Sequence, residues 1–244
     1  PFYAVPRVTT VAYELATRPV LELVGIGDSR PALAVHVVVF LGASVLIGLR
    51  PSRLADRIGR WLTPALLALL VVLCGATILS ARGLDRPAIE PYASAPMTTG
   101  LTQGYLTMDV LSASVFGIVV ITSLRERGFT TPGRLVRGTT VAGGIAAVLL
   151  GAVYIGLALI GVRAPGDITS ETTEGTELLR TAASLTLGRG GVIVFAGIVM
   201  LACLTTAVGL LASWAGYANT ALPAVSFTKQ LLAGTVVCLV LANL

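Results

Sequence analysis

Apolar runs alternate with short polar stretches along this chain of 244 residues. Residues 32–49 (ALAVHVVVFLGASVLIGL), 61–80, 140–162 and 191–214 each read as a helix of spanning length, since about 20 apolar residues cross a bilayer. A further run, 100–127, opens on Gly100 and Gly104, carries Asp109 inside it and closes on Arg125 and Arg127. Residues 1–17 (PFYAVPRVTTVAYELAT) read as part of a truncated first helix, and a last truncated run begins near 228. The pattern predicts an all-α membrane protein of about seven transmembrane segments, the first and last cut short. Residues 1–244 are expected to form a single transmembrane domain. The connections carry the punctuation of loops: Gly25, Gly27, Asp28 and Pro31 in 18–31, and prolines at 87, 91 and 96 in 81–103. The longest, 163–190, holds Asp167, Glu171, Glu174 and Glu177, then ELLRTAASLTL, whose leucine stripe predicts a short surface helix.

Composition agrees. Hydrophobic residues make up 55% of the chain and charged residues 12%, where soluble domains carry about 25% charge; the mean hydropathy is +0.89. The net charge of +5 does not mark a nucleic-acid partner, because the arginines are scattered over short loops without a basic stripe or aromatic platform. The expected surroundings are membrane lipid. Cys74, Cys203 and Cys238 are widely separated within apolar runs and read as packing residues. His36 is the sole histidine; a hydrogen-bonded packing role outranks a proton relay. The chain begins at Pro1 without a methionine and stops at Leu244 within an apolar run, so a fragment of a longer membrane protein is expected. Charge gives orientation. Loops 50–60, 125–139 and 215–229 hold nine Lys/Arg against Asp56 and Glu126, whereas the opposite loops hold seven arginines and eight acids. The positive-inside rule assigns the first set to the cytoplasm and the acidic 163–190 connection to the outside.

Three clusters carry candidate chemistry. A carboxylate within a span costs about 3 kcal/mol, so Asp109 is expected to face a cavity or partner, unless it lies close enough to the interface to be hydrated. The glycine-preceded polar patch at 104–109 is a place where a spanning helix can break, exposing the backbone groups a carrier uses for ions and polar solutes. Arg7 and Glu14 lie two turns apart on one helix face, as an intramembrane charge pair or gate or as two charges in headgroup water. In ACLTT, Ala202, Thr205 and Thr206 share a face. Their oxygens suit a hard cation, although on spacing alone helix-packing threonines are the favoured reading.

Taken together, PFYAVPRVTTVAYE (1–14), QGYLTMDVLSASVFGIV (103–119), ITSLRERG (121–128) and ACLTTAVGL (202–210) resemble the branched-chain amino acid:cation symporters of bacteria, the BrnQ-type carriers. The resemblance runs over essentially the whole chain. It implies a LeuT-like inverted-repeat bundle of the amino acid–polyamine–cation superfamily, with these segments as the third to ninth of twelve spans. The first two and last three spans, part of the same polypeptide, lie outside this stretch. It implies that Gly104, Tyr105, Leu106, Thr107, Met108 and Asp109 bind substrate, that Ala202, Thr205 and Thr206 bind sodium, and that 163–190 is an extracellular lid-like connection. Val8, Thr9, Ala12 and Tyr13 stand where family members have Thr, Ala, Ser and Phe, whereas Arg7, Thr10 and Glu14 match. The implied function is secondary active uptake of Leu, Ile and Val across the bacterial inner (plasma) membrane, coupled to sodium or proton inflow. No cofactor is expected, and no metal beyond sodium. The alternatives are a carrier of another amino acid or small zwitterion, and a passive channel, for which no filter-like repeat is present. An enzyme is not expected: Arg7, Glu14 and Asp109 form no catalytic set.

Overall fold

The computed structural model describes residues 2–25, 27, 29–49, 58–80, 90–163 and 175–243, all helix or connection, with no strand among them. In chain order the helices are α1 (Ala4–Ala12), a π-helical stretch Tyr13–Thr17, α2 (Arg18–Val24), α3 (Arg30–Gly48), a second π-helical stretch Ile58–Leu62, α4 (Thr63–Ser80), α5 (Pro96–Leu106), α6 (Asp109–Glu126), α7 (Pro132–Arg163), α8 (Gly175–Leu187), α9 (Arg189–Ala221) and α10 (Phe227–Ala242). Among the described residues, four helices are long and apolar enough to cross a membrane: Arg30–Gly48, Arg60–Leu79, Pro132–Val162 and Arg189–Ala221; Phe227–Ala242 is apolar but shorter. The protein is a multi-pass membrane protein, helical throughout its described elements.

Several boundaries move from their expected places. The first segment continues through Thr17-Arg18-Pro19 to Val24, so the 18–31 loop shrinks to 25–29. Proline lacks an N–H and clashes with the carbonyl four residues back. Here that carbonyl belongs to Leu15, inside the widened π turn, where the Arg18 N–H bonds to Tyr13 O, five residues back. Pro64 follows Ile58–Leu62 by the same two positions as Pro19 follows Tyr13–Thr17. It therefore lies in the first turn of α4, just past a turn already formed. Gly25, at φ 81°, ends α2 in the left-handed conformation that glycine adopts without cost. The basic stretch 125–139 reduces to a turn at 127–131, with Arg134 and Arg137 already in α7. The 215–229 stretch reduces to 222–226, with Lys229 in the first turn of α10. Of 50–60, residues 50–57 lie outside the described residues, as do 164–174 of the lid-like connection. The helix anticipated from the leucine stripe is α8.

The chain forms two compact units, residues 1–72 with 188–244, and residues 73–187. In the first, α1, α3, α9 and α10 enclose one apolar core around Val5, Ala12, Val37, Leu41, Ala207, Leu211, Leu231 and Cys238. Lipid tails are as apolar as these side chains, so such a core gains its stability from close packing rather than from escape from water. Polar groups inside it are satisfied in part: the Gln230 Oε1 is buried without a hydrogen-bond partner among the described residues, whereas its amide nitrogen is engaged. Gln230 is 5% exposed and its amide donates to the carbonyls of Ala218 and Leu222, 3.1 Å each, closing the end of α9 from the neighbouring helix. Close approach is tightest at Gly234, where a Cβ would fall 2.8 Å from Trp214 Cε3 and nearer still to Cζ3. Gly234→Ala is expected to cost about 1–3 kcal/mol by overpacking, read as a lower melting temperature of the detergent-purified carrier. An unchanged melt would show that the indole swings aside.

In the second unit α6 packs on α7, and α7 on α8. Cys74 packs against Gly156, whose Cβ position lies 3.0 Å from its Sγ. Cys74, Cys203 and Cys238 are all unpaired thiols.

Candidate substrate and ion sites

The helix expected to break in 104–109 is interrupted at Thr107–Met108. α5 ends at Leu106 and α6 starts at Asp109, with Met108 between them at φ 55°, ψ 26°. A left-handed methionine costs roughly 1 kcal/mol relative to a helical one, and residues held so tend to lie at functional sites. The Thr107 hydroxyl donates to Gly104 O at 2.6 Å and the Met108 N–H to Tyr105 O at 3.1 Å, fixing the corner. The last carbonyls of α5 and the first N–H groups of α6 are those a helix leaves without intrahelical partners. Tyr105, Leu106 and Met108 have exposed side chains.

Asp109 occupies the first turn of α6, where the helix dipole favours a carboxylate. Its Oδ2 accepts a 2.7 Å hydrogen bond from the Tyr154 hydroxyl, on α7 and 45 residues away. Tyr154 thus ties the acid to the next helix. Nothing in the sequence singled it out, since a tyrosine inside an apolar run is ordinary.

Ala202, Thr205 and Thr206 lie in the middle of α9. Both hydroxyls donate to Ala202 O, at 2.9 Å each. Three oxygens are drawn together on one face. Each hydroxyl also has an acceptor within its own helix, as a packing threonine would. Two turns beyond Thr206, the Ser213 hydroxyl is buried with no hydrogen-bond partner among the described residues.

Arg7 and Glu14 are both exposed, and no ion pair joins them among the described residues. Arg7 Nη1 donates to the Tyr3 hydroxyl at 3.3 Å. Seven residues of helix separate Arg7 from Glu14 by about 10 Å along the axis, and Glu14, at the start of the π stretch, lines an open cleft of about 410 Å³.

His36 is 8% exposed and braces this region. Its Nε2 lies 3.2 Å from Thr9 O and its Nδ1 2.8 Å from Thr17 Oγ1. A carbonyl only accepts, so Nε2 carries the proton, and in the neutral ring Nδ1 accepts from the Thr17 hydroxyl. The imidazole also contacts Tyr13, centroids 5.5 Å apart, and stacks on Phe40 at 5.6 Å. It spans the π stretch from the turn before it to its last residue, in the packing role the sequence favoured.

A family model described as branched-chain amino acid transport protein matches residues 1–244. The chain is 36% identical over 243 residues to the branched-chain amino acid transport system 2 carrier protein of Pseudomonas aeruginosa, covering 100% of this chain and 54% of that one. It is 39% identical over 229 residues to the branched-chain amino acid permease BrnQ of Corynebacterium glutamicum, covering 93% and 50%. It is 32% identical over 243 residues to the permease BraB of Bacillus subtilis, covering 100% and 54%. The chain thus spans about half the length of these curated relatives, which are transport carriers and not enzymes. No solved structure matches it. On this match, which takes in the interrupted helix and the Ala202–Thr206 turn alike, the chain belongs to the branched-chain amino acid transport protein family.

Proposed function

We propose that this chain is the central part of a secondary carrier that brings leucine, isoleucine and valine into the cell with sodium or protons. The observation that carries the reading is the interrupted helix at Thr107–Met108, with an acid as the first residue of the helix that follows. A zwitterion stripped of water needs an anion-binding and a cation-binding group side by side. The first N–H groups of α6 offer the former to the substrate carboxylate; the carbonyls ending α5, with Asp109, offer the latter to the ammonium. The aliphatic side chain goes to an apolar wall, where one methylene is worth only about 1–3 kcal/mol, so acceptance across the three substrates is broad.

The ion acts through Ala202 O and the hydroxyls of Thr205 and Thr206, with further oxygens supplied from elsewhere in the polypeptide. Coupling requires only that it bind the outward-open state better than the inward-open one. The composition of the first unit supports an inverted repeat of five spans. With the segments numbered as third to ninth, α1–α2 and α9 are repeat mates, as are α3 and α10, and both pairs fall in that unit.

The test is uptake by the full-length carrier in proteoliposomes. Labelled leucine should accumulate above its external concentration under an inward sodium or proton gradient, and excess isoleucine or valine should compete. Leucine that merely equilibrates, with no response to either gradient, would favour a passive channel and remove the reading.

A further inference from the structure

The cleft beside the π stretch has the chemistry of a second amino-acid site. Thr10, Tyr13 and Glu14 line it from one side, with Arg18 at the start of α2 and Arg30 and Leu33 from α3. Its volume of about 410 Å³ lies in the range of small-molecule sites. Arg18 Nε is held at 3.2 Å by Glu22 on its own helix, so Arg30 is the better placed cation for a ligand. Arg30 opens α3, a 19-residue helix started by Ser29, whose Oγ accepts from the Ala32 N–H at 3.4 Å. Guanidinium and helix N-terminus thus favour a carboxylate at the same end of the cleft. Glu14 supplies the opposite charge, and Leu33 and Tyr13 an apolar wall.

The arrangement is braced from behind. His36 holds the π stretch through Thr9 O and Thr17 Oγ1 and packs on Tyr13, and π turns inside helices frequently accompany functional sites. None of these residues belongs to 104–109 or 202–206. We infer that this cleft is a second, weaker binding site for the zwitterion of a branched-chain amino acid, its carboxylate on Arg30 and its ammonium on Glu14. The inference rests on the substrate class proposed above.

Equilibrium binding of labelled leucine to the detergent-purified full-length carrier tests it. The wild type should bind two leucines per chain in two phases. Glu14→Gln and Arg30→Gln should each weaken the shallower phase at least about tenfold, and Asp109→Asn the steeper one. Arg30 is exposed at a helix start, so its variant decides the matter if Glu14→Gln fails to fold. Leucinamide, which lacks the carboxylate, should compete poorly for the shallow phase in the wild type. A single-phase wild-type isotherm, or two folded variants with the wild-type isotherm, would overturn the cleft site alone. No leucine bound at either phase would overturn both this site and the proposed function.

Discussion

Replacing Thr205 and Thr206 together by valine in the intact carrier is expected to abolish sodium-driven leucine uptake and to weaken apparent sodium affinity by at least about 100-fold, near 2.7 kcal/mol. Valine preserves shape and removes only the two hydroxyls. These oxygens are gathered on Ala202 O at 2.9 Å each, and a cation there would lose two of its ligands. Were they only packing groups, the loss would be about 1 kcal/mol of helix association and the sodium dependence would keep its midpoint. A sodium titration of uptake in proteoliposomes separates the two outcomes. The double serine variant, which retains both hydroxyls, should keep its sodium response. A valine variant with the wild-type sodium midpoint would end the ion assignment.

Asp109→Asn is expected to produce the second large effect, a loss of leucine affinity of about 10–100-fold. The substitution keeps the size of the side chain and removes the charge proposed above to hold an ammonium or a proton. Tyr154→Phe removes one hydrogen bond to that carboxylate, worth about 1.5–3 kcal/mol when the partner is charged, and should weaken binding by about tenfold. Binding and transport measured together separate Asp109's two roles. A group that holds the substrate ammonium loses binding; a group that carries the coupling proton keeps exchange of internal for external leucine but loses accumulation under a pH gradient. Wild-type affinity together with wild-type accumulation would remove Asp109 from the site.

The sequence disclosed the apolar helices because their signal is additive. Eighteen or more apolar residues in a row read the same wherever they pack, and α3, α4, α7 and α9 follow those runs. The break in 104–109 was legible too, since glycines and a carboxylate are rarely spent together inside a span. What stayed hidden depends on geometry at a distance or on backbone register. Tyr154 reaches Asp109 across 45 residues, and no local pattern reports such a pairing. The first helix reads as ending at Thr17, yet the π turn before Pro19 lets it continue to Val24. Arg30 and Pro31 read as loop, whereas Ser29 caps them into α3.

The two π stretches have a consequence for how the faces of their helices are counted. A residue in an α-helix advances the direction of its side chain by about 100°. A widened turn inserts the equivalent of one further step, so positions before Tyr13 and after Thr17 keep different phases along a helix that is otherwise continuous. A wheel projection drawn straight through 4–24 therefore assigns the α2 residues, Arg18 and Glu22 among them, to the wrong side relative to α1.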